Sequence, residues 1–149
     1  MLTTNCGYDD PVQGPGLLVL YGPATWVNVG LDPNYKPNSN AAPVPGIANI
    51  EALIDSGADE SCIDSGLAAH LKLPIVDQQM VVGVSGNAKV NFHLAQVHVP
   101  ALKFTSHGSF AGVPLVASGF RCRVLLGRTF LRHFKMVYDG RSGAVTLSC

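Results

Sequence analysis

Residues 51 to 60 read Glu-Ala-Leu-Ile-Asp-Ser-Gly-Ala-Asp-Glu, a short apolar run that delivers one carboxylate, Asp55, into a turn built on Ser56 and Gly57. Gly57 lets that turn fold tightly and lets backbone N–H groups face the carboxylate. A carboxyl so placed suits hydrolysis by general acid–base catalysis. The chemistry needs one ionised carboxyl to activate water and one protonated carboxyl to donate to the carbonyl under attack. Two carboxyls a few ångströms apart cannot both ionise, so they share one proton and titrate as a pair. A second Asp-Ser-Gly stands at Asp64, Ser65 and Gly66, but Leu-Ala-Ala-His-Leu follows it. That pattern makes Asp64 a helix N-cap rather than a second reacting group. That leaves Asp55 as the one Asp-Ser-Gly carboxylate in the chain that reads as a reacting group.

The elements that must position Asp55 are mostly strands. Sixteen Gly and ten Pro in 149 residues favour a turn-rich β protein over a helical bundle. Residues 1 to 16 are polar with Gly and Pro and read as a flexible N-terminal arm, leaving 17 to 149 as one domain. Leu17 to Leu20 reads as a short strand, Ala24 to Leu31 as the next, and Ile50 to Ile54 as the buried strand ending at Asp55. Residues 32 to 46, rich in Pro and Asn, read as a hairpin insertion or mobile loop. After the Asp turn come a brief strand at Ser61 to Ile63 and a two-turn helix that Pro74 closes. Gln79 to Val84 and Ala88 to Val99 flank Ser-Gly-Asn and read as a β-hairpin. Strands are further expected at Leu102 to Phe104, Gly112 to Val116 and Arg121 to Leu126, then a short helix at Thr129 to His133. Lys135 to Tyr138 and Ala144 to Leu147 flank Asp-Gly-Arg-Ser-Gly as a last hairpin.

Composition excludes several classes. The net charge is zero, which disfavours nucleic acid or an anionic membrane as partner. No apolar run approaches the ~20 residues of a spanning helix. Residues 1 to 16 show no basic segment followed by an apolar one, so the expected compartment is the cytoplasm. Cys6, Cys62, Cys122 and Cys149 include no C-x-x-C spacing and read as reduced, mostly buried thiols rather than a zinc site or a disulfide framework. His70, His93, His98, His107 and His133 form no ligand pattern and read as structural or exposed; no metal and no cofactor are expected. Trp26, Phe130 and Phe134 read as core.

The ordered set of Ala-Leu-Ile before Asp55-Ser56-Gly57-Ala58, the Asp64 helix, the Gly-rich hairpin and Leu125-Leu126-Gly127-Arg128 resembles the retropepsin-like aspartic proteases. The likeness runs from about Leu17 to Phe134. It implies an all-β acid-protease fold, a closed barrel with one lobe per chain and one or two short helices. It implies a homodimer whose paired Asp55 residues hydrolyse an extended peptide. Ser56 would bond across the axis to the partner's loop. Val82, Gly83, Val84, Ser85 and Gly86 would be the flap over substrate, with Val124, Leu125 and Leu126 passing beneath the Asp turn and walling substrate pockets. Arg128 would form an ion pair with Asp59. No cofactor is implied.

Position 58 is Ala, where Ser or Thr would donate a hydrogen bond towards the dyad. Without that donor the anionic form is less stabilised, so activity is expected at mildly rather than strongly acidic pH. Residues 32 to 46 enlarge a hairpin that is short in viral members. Lys135 to Cys149 extend the chain beyond the short helix, and this added hairpin would replace the inter-subunit sheet that viral members build from their terminal strands. Both additions look more like cellular or bacterial members. The alternative on the same fold is a non-catalytic dimeric peptide-binding module, which would have no need of a paired, costly carboxyl.

Overall fold

Val-, Ile- and Leu-rich runs with alternating burial build a seven-stranded sheet in the computed structural model, which describes residues 1–83 and 86–149. Its strands are β2 (Ala24–Gly30), β3 (Ile47–Ile54), β4 (Cys62–Asp64), β5 (Ile75–Gly83), β6 (Gly86–Val99), β7 (Phe104–Val113) and β8 (Val124–Leu126). They lie in the order β2-β3-β8-β4-β7-β6-β5, and β2 also pairs with β6, so the sheet curls into a closed, barrel-like ring. The fold is mostly β, as the sequence implied. A smaller sheet joins β1 (Thr3–Asn5), β10 (Ala144–Ser148) and β9 (Lys135–Asp139), in that order.

The ring encloses one apolar cluster. Val27, Val29, Ile63, Val97, Val99 and Val124 have no accessible surface. Beside it the Phe104 ring meets Phe130 edge-on at 5.7 Å and Phe134 at 4.9 Å, so both Phe residues read as core do pack there. Trp26 does not. Its neighbours Thr25 and Val27 turn inward on β2, and strand alternation leaves Trp26 outward and 59 % exposed, opposite Glu51.

Three further expectations change. The Leu17 to Leu20 segment is not a strand but part of helix α1 (Gly14–Tyr21), started by proline in its first turn and ended at Gly22, whose φ of 72° glycine accepts without strain. A four-residue apolar run fits either period, and here the flanking Pro and Gly decide. With α2 (Ser65–His70), α3 (Arg128–Leu131) and a 3-10 turn at Pro100–Leu102, the helices remain few and short, as the fold class implied. Residues 1 to 16 are no loose arm. Thr3 to Asn5 register with Ser148 to Thr146, and Cys6 enters the core and bonds Val145 through its backbone N–H. The strand is too polar to announce itself, because its partner lies at the other end of the chain. β7 is also longer than the paired fragments read from sequence, running unbroken from Phe104 to Val113.

Residues 32 to 46 are tied down at their ends. The Asp32 carboxylate accepts from the N–H groups of Asn34 and Val44, each at 2.9 Å, and the buried Gln96 side chain bonds both the N–H and the carbonyl of Asp32. All four cysteines are free thiols, Cys6 and Cys122 buried and Cys149 exposed. Among the described residues, no helix is long and apolar enough to cross a membrane and no cluster of ligating side chains could hold a metal.

Candidate active site

β3 and β8 run parallel, pairing Ala52 with Val124, Leu53 with Leu125 and Ile54 with Leu126. The ladder extends one step further, for the Asp55 N–H donates to the Leu126 carbonyl at 2.9 Å. β4 lies on the other side of β8, antiparallel to it. The loop from Asp55 to Ser61 therefore leaves the sheet on one side of β8 and returns on the other. Within it the Gly57 N–H donates to Asp55 Oδ1 at 2.9 Å, and a Cβ on Gly57 would stand 3.1 Å from that same oxygen. Glycine thus allows the close approach that the sequence suggested. The Asp55 side chain is half-buried, while Ser56 and Gly57 are exposed.

The loop is clamped from below by residues 127 to 129. The Arg128 and Thr129 N–H groups donate to the carbonyls of Ala58 and Asp59 at 2.8 and 3.0 Å. The Gly127 N–H donates to Ser61 Oγ at 3.1 Å, and that buried hydroxyl lies 3.3 Å from Thr129 Oγ1. Ser61 and Thr129 escaped the sequence reading. Neither belongs to a pattern, and their only signal is adjacency to the Asp turn and to the Leu-Leu-Gly-Arg segment.

The expected Asp59–Arg128 ion pair is not formed. Arg128 Nη1 donates to the Ser56 carbonyl at 2.9 Å instead, and Asp59 Oδ1 accepts from the Glu60 N–H at 2.8 Å. Both side chains are exposed, where a hydrated ion pair gains little over backbone partners. Among the described residues the ion pair within 4 Å is Arg121–Glu51, at 2.7 Å. Val124 and Leu126 are fully buried and Leu125 is 7 % exposed. They underlie the Asp turn but present almost no surface as a pocket wall, because β8 is flanked on both edges and packs into the core. Val82 and Gly83 end β5, paired with Asn87 and Gly86 of β6; Val84 and Ser85 lie outside the described residues. The preceding part of β5, from Ile75 to Val81, is exposed throughout. Asp64 is the expected N-cap, its Oδ2 accepting from the Leu67 N–H.

Carboxylates gather around Cys62. The Cys62 thiol is pushed up to about 11, chiefly by burial and further by Glu60, Asp55 and Asp59. A thiol held protonated in this way is no nucleophile at neutral pH.

The family model for retroviral aspartyl proteases matches residues 25–138, spanning both the Asp turn and its clamp. The chain belongs to the retroviral aspartyl protease family. A retropepsin-like aspartic protease from Rickettsia conorii shares the fold, with a TM-score of 0.51 at 14% identity over 97% of this chain and 90% of that one. The simian foamy virus protease aligns with a TM-score of 0.48 at 11% identity over 73% of this chain and 91% of that one. The retroviral protease-like domain of Ddi1 from Leishmania major gives 0.45 at 14% identity, over 83% and 87%. No curated protein sequence matches significantly. At 14% identity the Rickettsia structure carries the fold and nothing about substrate.

Proposed function

We propose that the chain is an aspartic endopeptidase that works as a homodimer, Asp55 of each copy sharing one proton and activating one water. The observation that carries this reading is the Asp55 carboxylate, half-buried at the end of β3 and held by the Gly57 N–H in a loop that β8 and residues 127 to 129 fix from beneath. Preorganised groups of this kind lower a barrier because they need not rearrange during reaction. In the proposed dimer the exposed Ser56 hydroxyl reaches the partner's loop, and the β5–β6 hairpin, including Val82 to Gly86, closes over an extended peptide by strand-like pairing. The terminal strands β1 and β10 already pair within the chain, so a subunit contact at this sheet would have to use the outer edge of β1 or β9.

The decisive experiment is incubation with a diverse peptide library between about pH 4 and 7, with and without a statine-type inhibitor. Inhibitor-sensitive cuts, greatest at mildly acidic pH, are expected. Asp55→Asn should lower kcat/KM by ~10³-fold or more while keeping the melting temperature and the dimer. Cleavage that survives this substitution would refute the assignment.

A further inference from the structure

The segment that joins β2 to β3 folds back over the end of β6 and the start of β7. The Tyr35 N–H donates to the Asp32 carbonyl at 3.2 Å, and the Tyr35 ring lies 5.9 Å from the His107 ring on β7. Between segment and sheet opens a cavity of about 640 Å³, of a size to hold a small organic molecule. Tyr35 and Asn40 line it on one side, and His98, Lys103, Phe104 and Thr105 on the other. The eight residues of β3, roughly 26 Å of strand, stand between this segment and Asp55.

The charge here is of one sign. Residues 33 to 50 and 97 to 109 hold Lys36, His98, Lys103 and His107 and no Asp or Glu, in a chain whose net charge is zero. Strand pairing sets His98 opposite Thr105, and His98 Nδ1 lies 2.8 Å from Thr105 Oγ1. A threonine hydroxyl that donates to Nδ1 leaves the ring proton on Nε2, a donor for an anion. Burial holds the His98 ring below its ordinary value of 6.5, so desolvation has weakened its charged form where an anion would restore it.

Lys103 closes the 3-10 turn at Pro100–Leu102 with φ 48° and ψ 39°, its N–H donating to the Pro100 carbonyl at 3.1 Å. Glycine or asparagine takes this left-handed conformation at lower cost. A lysine kept there, at the cavity wall, carries backbone strain for the sake of its side chain.

We propose that this cavity binds a small organic anion, a carboxylate or a phosphate ester. Its charged end would meet Lys103 and His98, and its apolar body would rest on Phe104 and Tyr35. A charge-assisted hydrogen bond to an ammonium is strong enough to select an anion over a neutral molecule of the same shape. The site is independent of the peptidase reading, since it shares no residue with the Asp55 loop.

The test titrates phenyl phosphate, benzoate, benzyl alcohol and inorganic phosphate into the full chain by calorimetry at low ionic strength. At least one of the two aromatic anions should bind ~10-fold tighter than benzyl alcohol and tighter than inorganic phosphate, and added salt should weaken it. Which of the two binds better separates a carboxylate ligand from a phosphate ester. Lys103→Met and His98→Gln should each lower that affinity ~10-fold. Lys103→Gly should lose binding as well, yet melt no lower than the parent, because glycine relieves the backbone strain; a merely structural lysine would not separate the two readouts. Equal binding of benzyl alcohol, inorganic phosphate binding as tightly as both aromatic anions, or an affinity unmoved by all three variants overturns the proposal.

Discussion

The Arg128 guanidinium holds the Asp55 loop by the Ser56 backbone carbonyl, 2.9 Å from Nη1, and not by the carboxylate of Asp59. A backbone acceptor fixes the loop's path whatever the charge at position 59. Arg128→Ala should therefore lower kcat/KM about tenfold and cost about 1 kcal/mol, the scale of one hydrogen bond. Asp59→Asn should stay within ~0.5 kcal/mol of the parent. Urea unfolding of the two variants decides it, since equal losses would restore the ion pair.

Asp64 does double work. One carboxylate oxygen caps α2 through the Leu67 N–H, and the other accepts from the Val116 N–H at 3.1 Å, tying the segment after β7 to the helix. Asp64→Ala should cost ~1–3 kcal/mol, and Asp64→Asn less, because an amide oxygen still caps. Peptidase activity per folded molecule should persist in both. A catalytic role for this second Asp-Ser-Gly would show as lost activity with unchanged stability.

Gly127 is required for room rather than for its dihedral angles. A Cβ there would meet the carbonyl oxygens of Glu60 at 2.6 Å and Ala58 at 2.8 Å, both backbone atoms of the Asp loop. Gly127→Ala must push that loop away, at a cost of roughly 1–3 kcal/mol or more. Activity should fall further than stability, as the displaced atoms carry Asp55. A fully active variant would mean that the clamp does not set the loop's position.

Acid should loosen the turns before the core. Backbone N–H donors hold the Asp10 and Asp32 carboxyls below their ordinary value of 3.8, and at Asp139 the Ser142 hydroxyl leads the same effect. A carboxyl with a depressed folded value stabilises the protein above its unfolded value and loses that contribution as pH falls through the folded one. Melting temperatures should thus be level above about pH 5 and fall below about pH 4. Asp32→Asn should lower the plateau and flatten the decline. An equally steep decline in Asp32→Asn and Asp139→Asn would place the acid sensitivity elsewhere.

The sequence by itself determined what short-range chemistry can encode. Asp55 with Gly57, the Asp64 cap, the β5–β6 and β9–β10 hairpins and the Leu-Leu-Gly-Arg segment each depend on residues a few positions apart, so their types and order sufficed. Tertiary structure alone decided the rest. Which way Trp26 faced, and whether Val124 and Leu126 met solvent, depended on neighbours brought from distant segments. Arg128 took a backbone oxygen because the loop's path put Ser56 within its reach, a matter of geometry that no residue type announces. The polar strand at Thr3 to Asn5 exists because β10 offers its hydrogen-bonding edge. Backbone groups are alike in every residue, so such a pairing leaves almost no trace in side-chain order.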